Sequence, residues 1–298
     1  MPAEHEEERI GIEAVHAVTA LLQRTRTAHP TQGLYEAADV QWWWRTPRST
    51  DRLPQLMWVD DLGRPEAAAI AIDWGDAVAM APIVMPGASP DSVVHIVERG
   101  LAHSHRYGFD TVNVEVARTD DVLRHALVSR GFVITEDGVV ETWLPADARP
   151  AMTSLPDGYR SLTRLETMHR PHHMTNEQRN HPDIEARLRQ ASLYRPALDL
   201  VVMDDHDDVA AYGLFWYDPE TATGLVEPMR TEDNHQRQGL GRHILTRGIG
   251  LLANAGATRI KICFEPRNPA SKHLYLSVGF EPVKLTDIFT GPTGTPPS

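Results

Sequence analysis

The stretch Glu227-Pro228-Met229-Arg230-Thr231-Glu232-Asp233-Asn234-His235-Gln236-Arg237-Gln238-Gly239-Leu240-Gly241-Arg242 collects residue types that can grip an anion. Gly239 and Gly241 remove side chains where the main chain must turn tightly. Successive N–H groups can then converge on a phosphate at the positive end of a helix. Arg237 and Arg242 add full charges beside it. Taken alone, the glycine pair is equally compatible with a plain helix entry packed against a strand.

The elements that must position this loop are legible downstream. Ile244, Leu245, Gly248, Ile249 and Leu252 share one helical face, and Gly256 is placed to close the helix in a left-handed cap. Ile260, Ile262 and Phe264 then alternate with Lys261 and Cys263 as a strand. Asn268-Pro269 reads as N-cap and first-turn proline of a second helix, which carries Leu274-Tyr275 and ends at Gly279 before a strand from Phe280.

In this order the motifs are specific. Gln236-Arg237-Gln238-Gly239-Leu240-Gly241 resembles the Q/R-x-x-G-x-G/A pyrophosphate loop of the GNAT acetyltransferase superfamily. Asn268-x-x-Ser271-x-x-Leu274-Tyr275-x-x-x-Gly279-Phe280 resembles that superfamily's second signature. The resemblance covers residues 227 to 281 and thins upstream to pattern alone.

It implies acetyl-CoA as cosubstrate, with no metal. The strand residues Met229, Arg230 and Thr231 would line the pantetheine arm, and the Met229 N–H would serve the oxyanion. Main-chain amides over Gln236, Arg237, Gln238, Gly239, Leu240, Gly241 and Arg242 would hold the pyrophosphate, helped by the two guanidinium groups. Asn268 would contact the cofactor, cap its helix, or do both. Tyr275 matches the tyrosine that protonates the departing thiolate, and Glu227 lies where some members keep a carboxylate that accepts the amine proton. Tyr275 also reads as a core aromatic, and Glu227 as a solvated strand end. Two departures are visible: Ser271 stands where alanine is common, and Cys263 stands where other members supply a base.

Composition narrows the field. A chain of 298 residues with 41% hydrophobic content can build two domains. A formal charge of −12 disfavours a nucleic-acid backbone and mildly favours a cationic partner. With one cysteine there is no intramolecular disulfide framework, and Cys263 reads as a small buried hydrophobe. The acidic start lacks an apolar leader core, and no run of about 18 apolar residues occurs. A soluble, cytoplasmic protein with no membrane partner is expected, and a homodimer is allowed.

Upstream, residues 9 to 23 predict an amphipathic helix through Ile10, Ile12, Val15, Val18, Leu21 and Leu22. Trp42-Trp43-Trp44 reads as a core or domain-seam filler, with a ligand-stacking platform as the other reading. Leu56 to Val59 and Ala67 to Trp74 predict strands flanking a turn at Asp60-Asp61-Leu62-Gly63. From Val93 a pattern of helix, Gly108, strand (Thr111 to Val116), helix and Gly131-Phe132 repeats the C-terminal order at a constant offset. An internal duplication follows: α/β (α+β) in class, two tandem GNAT-like domains, each a mixed, mostly antiparallel sheet flanked by helices. The expected boundaries are 1–146, a linker at 147–158, and 159–298.

At that offset Gly239 and Gly241 become Asp91 and Val93, Asn268 becomes Asp120, and Tyr275 becomes Leu127. A carboxylate would repel a pyrophosphate, so the first copy is expected to keep the fold without the cofactor. The tandem arrangement is similar to that of mycothiol synthases. In the second copy, Tyr159 to Leu162, Asp199 to Met203 and Val209 to Tyr217 predict strands, and Pro182 to Leu193 a helix. His169, His172, His173 and His181 read as solvated loop residues or acceptor-pocket lining rather than zinc ligands.

The function expected is transfer of acetyl to the primary amine of a small molecule, such as an aminosugar or aminoglycoside-type antibiotic. The alternatives are a non-catalytic acyl-CoA-binding sensor or scaffold and an enzyme acting on protein N-termini or lysines.

Overall fold

The structure is a computed structural model and describes residues 5–294. Its elements run β1 (His5–Ile10), α1 (Ile12–Ala28), α2 (Ala37–Trp43), β2 (Pro54–Val59), β3 (Pro65–Asp73), β4 (Val78–Val84), α3 (Pro90–Arg106), β5 (Thr111–Ala117), α4 (Asp121–Ser129) and β6 (Val133–Pro145). The chain continues with β7 (Arg160–Thr163), α5 (Arg164–Thr167), α6 (Ile184–Leu188), β8 (Asp199–Met203), β9 (Val209–Asp218), β10 (Thr223–Thr231), α7 (Leu240–Ala255), β11 (Arg259–Phe264), α8 (Pro269–Val278) and β12 (Glu281–Pro292). The order β2-β3-β4-α3-β5-α4-β6 recurs as β8-β9-β10-α7-β11-α8-β12, one α/β plan used twice. Among the described residues no helix is long and apolar enough to cross a membrane.

The chain divides into two compact units that do not follow the sequence midpoint. The first holds residues up to Val40, Pro47–Val140 and those from Lys284 on; the second holds Gln41–Thr46 and Glu141–Val283. The contiguous boundaries expected from the sequence therefore differ from the observed units at both ends. β12 pairs antiparallel with β5, from Thr286–Ala117 to Pro292–Thr111, inside the first unit. The end of β6 lies in the second unit, where Thr142 Oγ1 donates to Ile262 O at 2.7 Å. Strand exchange of this kind rests on pairing between residues more than a hundred positions apart, which local sequence pattern does not encode.

In the first unit β1, β2, β3 and β4 pair antiparallel in turn, and β4 runs parallel to β5. Trp58, Met80, Ile96, Leu101, Val114, Leu127 and Phe289 form its core. The Asp60 turn forms as expected, with Asp60 Oδ1 accepting the N–H groups of Leu62 and Arg64. The first helix begins later than expected. Residues 9 and 10 belong to β1, and Gly11 at φ +59 breaks the chain direction before α1, which then runs on to Ala28.

In the second unit β7, β8, β9 and β10 pair antiparallel, and β10 runs parallel to β11. All five predicted face residues of α7 are buried, and Gly256 closes that helix at φ +110. The helix predicted over Pro182 to Leu193 is reduced to the five residues of α6 with turns on either side. β11 is buried on both faces. Lys261, on the side that alternation would expose, is 1% exposed and pairs with Glu141 of β6 at 3.3 Å.

α7 lies directly on β9. A Cβ at Gly248 would stand 2.1 Å from Phe215 Cε1, and Phe215 is fully buried. Gly248→Ala therefore forces a core aromatic to move, and should cost about 1–3 kcal/mol by overpacking. A thermal melt should show the midpoint lowered by several degrees.

Candidate active site

β10 follows β9 along its length except for a register shift between Val226 and Met229, at Glu227-Pro228. Pro228 has no N–H to give to a ladder, so the strand departs from regular pairing here. The Trp216 indole N–H fixes this departure by donating to Glu227 O at 2.8 Å. On the other side, parallel pairing among the described residues runs from Thr223–Arg259 to Leu225–Lys261. Beyond Leu225 the parallel pairing stops, while β10 runs on to Thr231 and β11 to Phe264.

The chain leaves β10 through a 3-10 turn (Asp233–His235) and enters α7 at Gly239. Arg237 and Gly239 both take left-handed conformations, at φ +63 and φ +83. Glycine is at home there, whereas arginine is not, so the surrounding contacts must hold Arg237 in place. No side chain caps α7, and its first turn carries no acidic residue. Its first main-chain bond is His243 N–H to Gly239 O, so the N–H groups of Leu240, Gly241 and Arg242 precede the helical ladder. Gly241 is required by close approach: a Cβ there would sit 3.2 Å from Thr231 Oγ1.

The side chains around these main-chain groups brace the loop. Arg230 Nε donates to Glu232 Oε2 at 3.1 Å and Nη2 to Asp233 Oδ1 at 3.3 Å, while Gln236 Nε2 donates to Asp233 Oδ1 at 3.1 Å. Gln238 Oε1 accepts from the Tyr159 hydroxyl at 3.0 Å, and His235 Nδ1 meets the same hydroxyl at 2.9 Å. Arg242 turns to α8, donating to Ser277 Oγ at 2.8 Å and Ser277 O at 3.1 Å. Arg237 stays exposed on the loop. Asn268 caps α8, its Oδ1 accepting the Ser271 N–H at 3.1 Å.

Tyr275, on α8, is 7% exposed and packs between Phe264 and Phe280, with ring centroids at 6.4 and 6.5 Å. Burial, which disfavours the phenolate, pushes its hydroxyl up to about 12. A hydrogen bond with the Ser271 side chain opposes this, and the nearby Glu227 and Cys263 add to it. The structure thus brings Tyr275 and Glu227 together. It adds Ser271, one turn before the tyrosine on α8, which sequence reading treated as a tolerated replacement. The four-residue spacing was the available signal.

Two of the four histidines depart from the solvated reading. His172 and His173 are buried with Asp199 of β8, and their ligand-type atoms lie within 4.8 Å of one another. His172 Nδ1 accepts the Met174 N–H at 3.2 Å, which places its proton on Nε2, 3.0 Å from Asp199 Oδ2. In that tautomer Nε2 donates to the carboxylate. Tyr194 donates to the same carboxylate oxygen at 2.8 Å. His173 Nε2 lies 2.9 Å from Asp199 Oδ1 but off the line of a hydrogen bond. The result is a buried polar network that ties residues 172–174 to β8. His169 and His181 are exposed and stand apart from it.

The tryptophan run serves the second unit. Trp42 is 4% exposed, with the Arg45 guanidinium 3.8 Å from its ring centre, and Arg187 stacks 3.7 Å from Trp44.

With this geometry in view, the comparisons with known proteins converge. The sequence pattern of the Acetyltransferase (GNAT) family matches residues 162–280, from β7 to the end of α8. Over 102 residues the chain is 28% identical to a mycothiol acetyltransferase of Beutenbergia cavernae, which is 34% of each chain. The chain thus spans about a third of the length of that curated relative. A tandem GNAT protein from the clavulanic acid biosynthesis pathway matches 99% of this chain and 100% of its own at TM-score 0.71 and 14% identity. A GCN5-related N-acetyltransferase from Sphaerobacter thermophilus matches 100% and 98% at TM-score 0.60 and 13% identity. Residues 162–280 thus carry the pattern of the GNAT acetyltransferases, and the whole chain shares the fold of a tandem GNAT protein.

Two consequences can be measured. Burial holds the His173 imidazole below its ordinary value near 6.5, so it stays neutral in the fold while an unfolded chain would take up the proton. Stability should therefore fall as pH drops below about 6.5, and His173→Phe should flatten that slope between pH 7 and 5 in urea melts. Tyr159→Phe removes the hydroxyl that joins His235 and Gln238. It should speed amide exchange over residues 235–239 by about tenfold, roughly one hydrogen bond, in hydrogen-exchange measurements.

Proposed function

We propose that the second unit transfers an acetyl group from acetyl-CoA to the primary amine of a small molecule by direct attack in a ternary complex. The observation that carries this reading is the convergence of three features of one unit. They are a parallel strand pairing that stops after Leu225, an uncapped helix start at Gly239-Leu240-Gly241, and a buried phenol whose proton is held firmly.

Each step then has a residue. The main-chain N–H groups from Leu240 to Arg242, with Arg237, receive the diphosphate. The edge of β10 at Met229 to Thr231 aligns the pantetheine arm, and the Met229 N–H donates to the carbonyl oxygen as it gains charge. Glu227 takes the proton of the attacking amine, directly or through water, as the C–N bond forms. When the C–S bond breaks, Tyr275 gives its proton to the sulfur, and Ser271 steadies the phenolic oxygen. A proton held to about 12 is retained across neutral pH, as a general acid requires.

The coenzyme is assigned to this unit alone. In the first unit the corresponding helix, α3, begins with Ser89, whose side chain accepts the Ser92 N–H, followed by Pro90 and Asp91. A capped end, a residue without an N–H and a carboxylate together oppose a diphosphate. The acceptor is read as a primary amine on a small polar molecule of the aminosugar class, a cation suited to a chain of net charge −12. A mycothiol acetyltransferase among the relatives is consistent with a small-molecule acceptor.

Thiol release from acetyl-CoA against a panel of small amines tests the reading. Tyr275→Phe should lower kcat by about 10²-fold or more and leave the Kd for coenzyme A within a factor of two. Wild-type turnover in that variant would remove Tyr275 as the acid. Absence of coenzyme binding by the intact protein would remove the whole assignment.

A further inference from the structure

The first unit also opens between two parallel strands. β4 and β5 are in register at Ala79–Asn113, and further along a cavity enters between Val84 and Ala117. Its inner chamber, of ≈ 130 Å³, is lined by Leu123 on α4, by Tyr35 and by Glu115. An outer chamber of ≈ 500 Å³ adjoins it and ends among Asp120, Asp121 and Lys284. All these residues belong to the first unit.

The chemistry of this cleft differs from that of its counterpart. Ser89, Pro90 and Asp91 close the start of α3 to a diphosphate, so the slot persists without its anion cradle. Carboxylates dominate instead. Val112, Val114 and Val116 of β5 are buried in the core with α3 and α4, and alternation turns Glu115 to the other side, toward α1. Glu115 Oε1 accepts from the Thr286 hydroxyl at 2.6 Å. At the mouth, Asp120 Oδ1 takes the Leu123 N–H, and Asp121 adds a second exposed carboxylate. The Lys284 ammonium donates to the main-chain carbonyls of Gly33 at 2.6 Å and Thr31 at 3.1 Å, so it ties down the loop over the cleft. The walls between the charged ends are mostly apolar, through Leu22, Leu34, Ile83, Val84 and Leu123, with Thr25, Gln32 and Tyr35 among them.

We propose that this cleft is a second ligand site, one that takes a primary amine carried on a small apolar body, with the ammonium against Glu115. Size sets the body. An apolar cavity of about 150 Å³ holds a benzene ring, so the inner chamber suits a single ring or a short alkyl chain. Charge sets the head group: an ammonium can pair with the Glu115 oxygen face and is drawn in past the carboxylates at the mouth, whereas a carboxylate or phosphate is repelled. The site is independent of the acetyl-transfer reading, because no residue of the second unit takes part.

Methyl NMR titration of the full-length protein tests it, with benzylamine, benzoate and coenzyme A as probes. Benzylamine should shift the Val84 and Leu123 methyl signals saturably, and benzoate should bind at least tenfold more weakly. Glu115→Gln should lower benzylamine affinity at least tenfold. Val84→Phe, which fills the chamber and keeps the carboxylate, should abolish these shifts, so that a folding defect in one variant leaves the other informative. Equal binding of benzoate, shifts confined to methyls of the second unit, or displacement of benzylamine by coenzyme A would each overturn the proposal.

Discussion

The structure depends on one constraint, the parting of β10 from β11 after Leu225. A parallel pair that stayed zipped would bury its main-chain groups against each other and leave nothing to face a ligand. The register shift at Glu227-Pro228, anchored by the Trp216 indole, lets β10 keep its antiparallel partner while it leaves its parallel one. The residues proposed for chemistry lie on or beside these strands: Glu227 and Met229 on β10, the start of α7 after the loop that leaves it, and Tyr275 on α8.

The two units show one plan with two different helix starts. Both have parallel strands with an opening between them, followed by a helix that packs back on the sheet. At α7 the helix start is glycine-bearing and uncapped; at α3 it is sealed by serine, proline and aspartate. Since the partial positive charge of a helix start is offered only where its N–H groups are left available, these few residues decide whether the opening attracts or rejects an anion.

Much of this was legible in the sequence because it is local. Glycines at 239, 256 and 279 mark left-handed positions, Asn268-Pro269 marks a helix start, and the apolar face of α7 follows from spacing alone. What sequence could not supply were partners distant along the chain. Lys261 alternates as if exposed, yet β6 brings Glu141 to it. His172 and His173 read as loop residues because their partner, Asp199, is on a strand. Arg242 meets Ser277 of α8, a contact that spacing along the chain does not announce. The α6 region reads as a longer helix because its apolar spacing is correct, while turns on either side limit it to a little over one turn.

The exchanged strands have a consequence for how the molecule is made. The first unit lacks β12 until both units' other strands have been synthesised, and the second includes residues laid down before its own first strand. During translation the N-terminal half therefore waits with the β5 edge unpaired, a surface open to wrong pairing until the final strand arrives. Maturation should be late and concerted rather than stepwise from the amino end. A cut in the segment joining β6 to β7 would leave two incomplete sheets rather than two working modules.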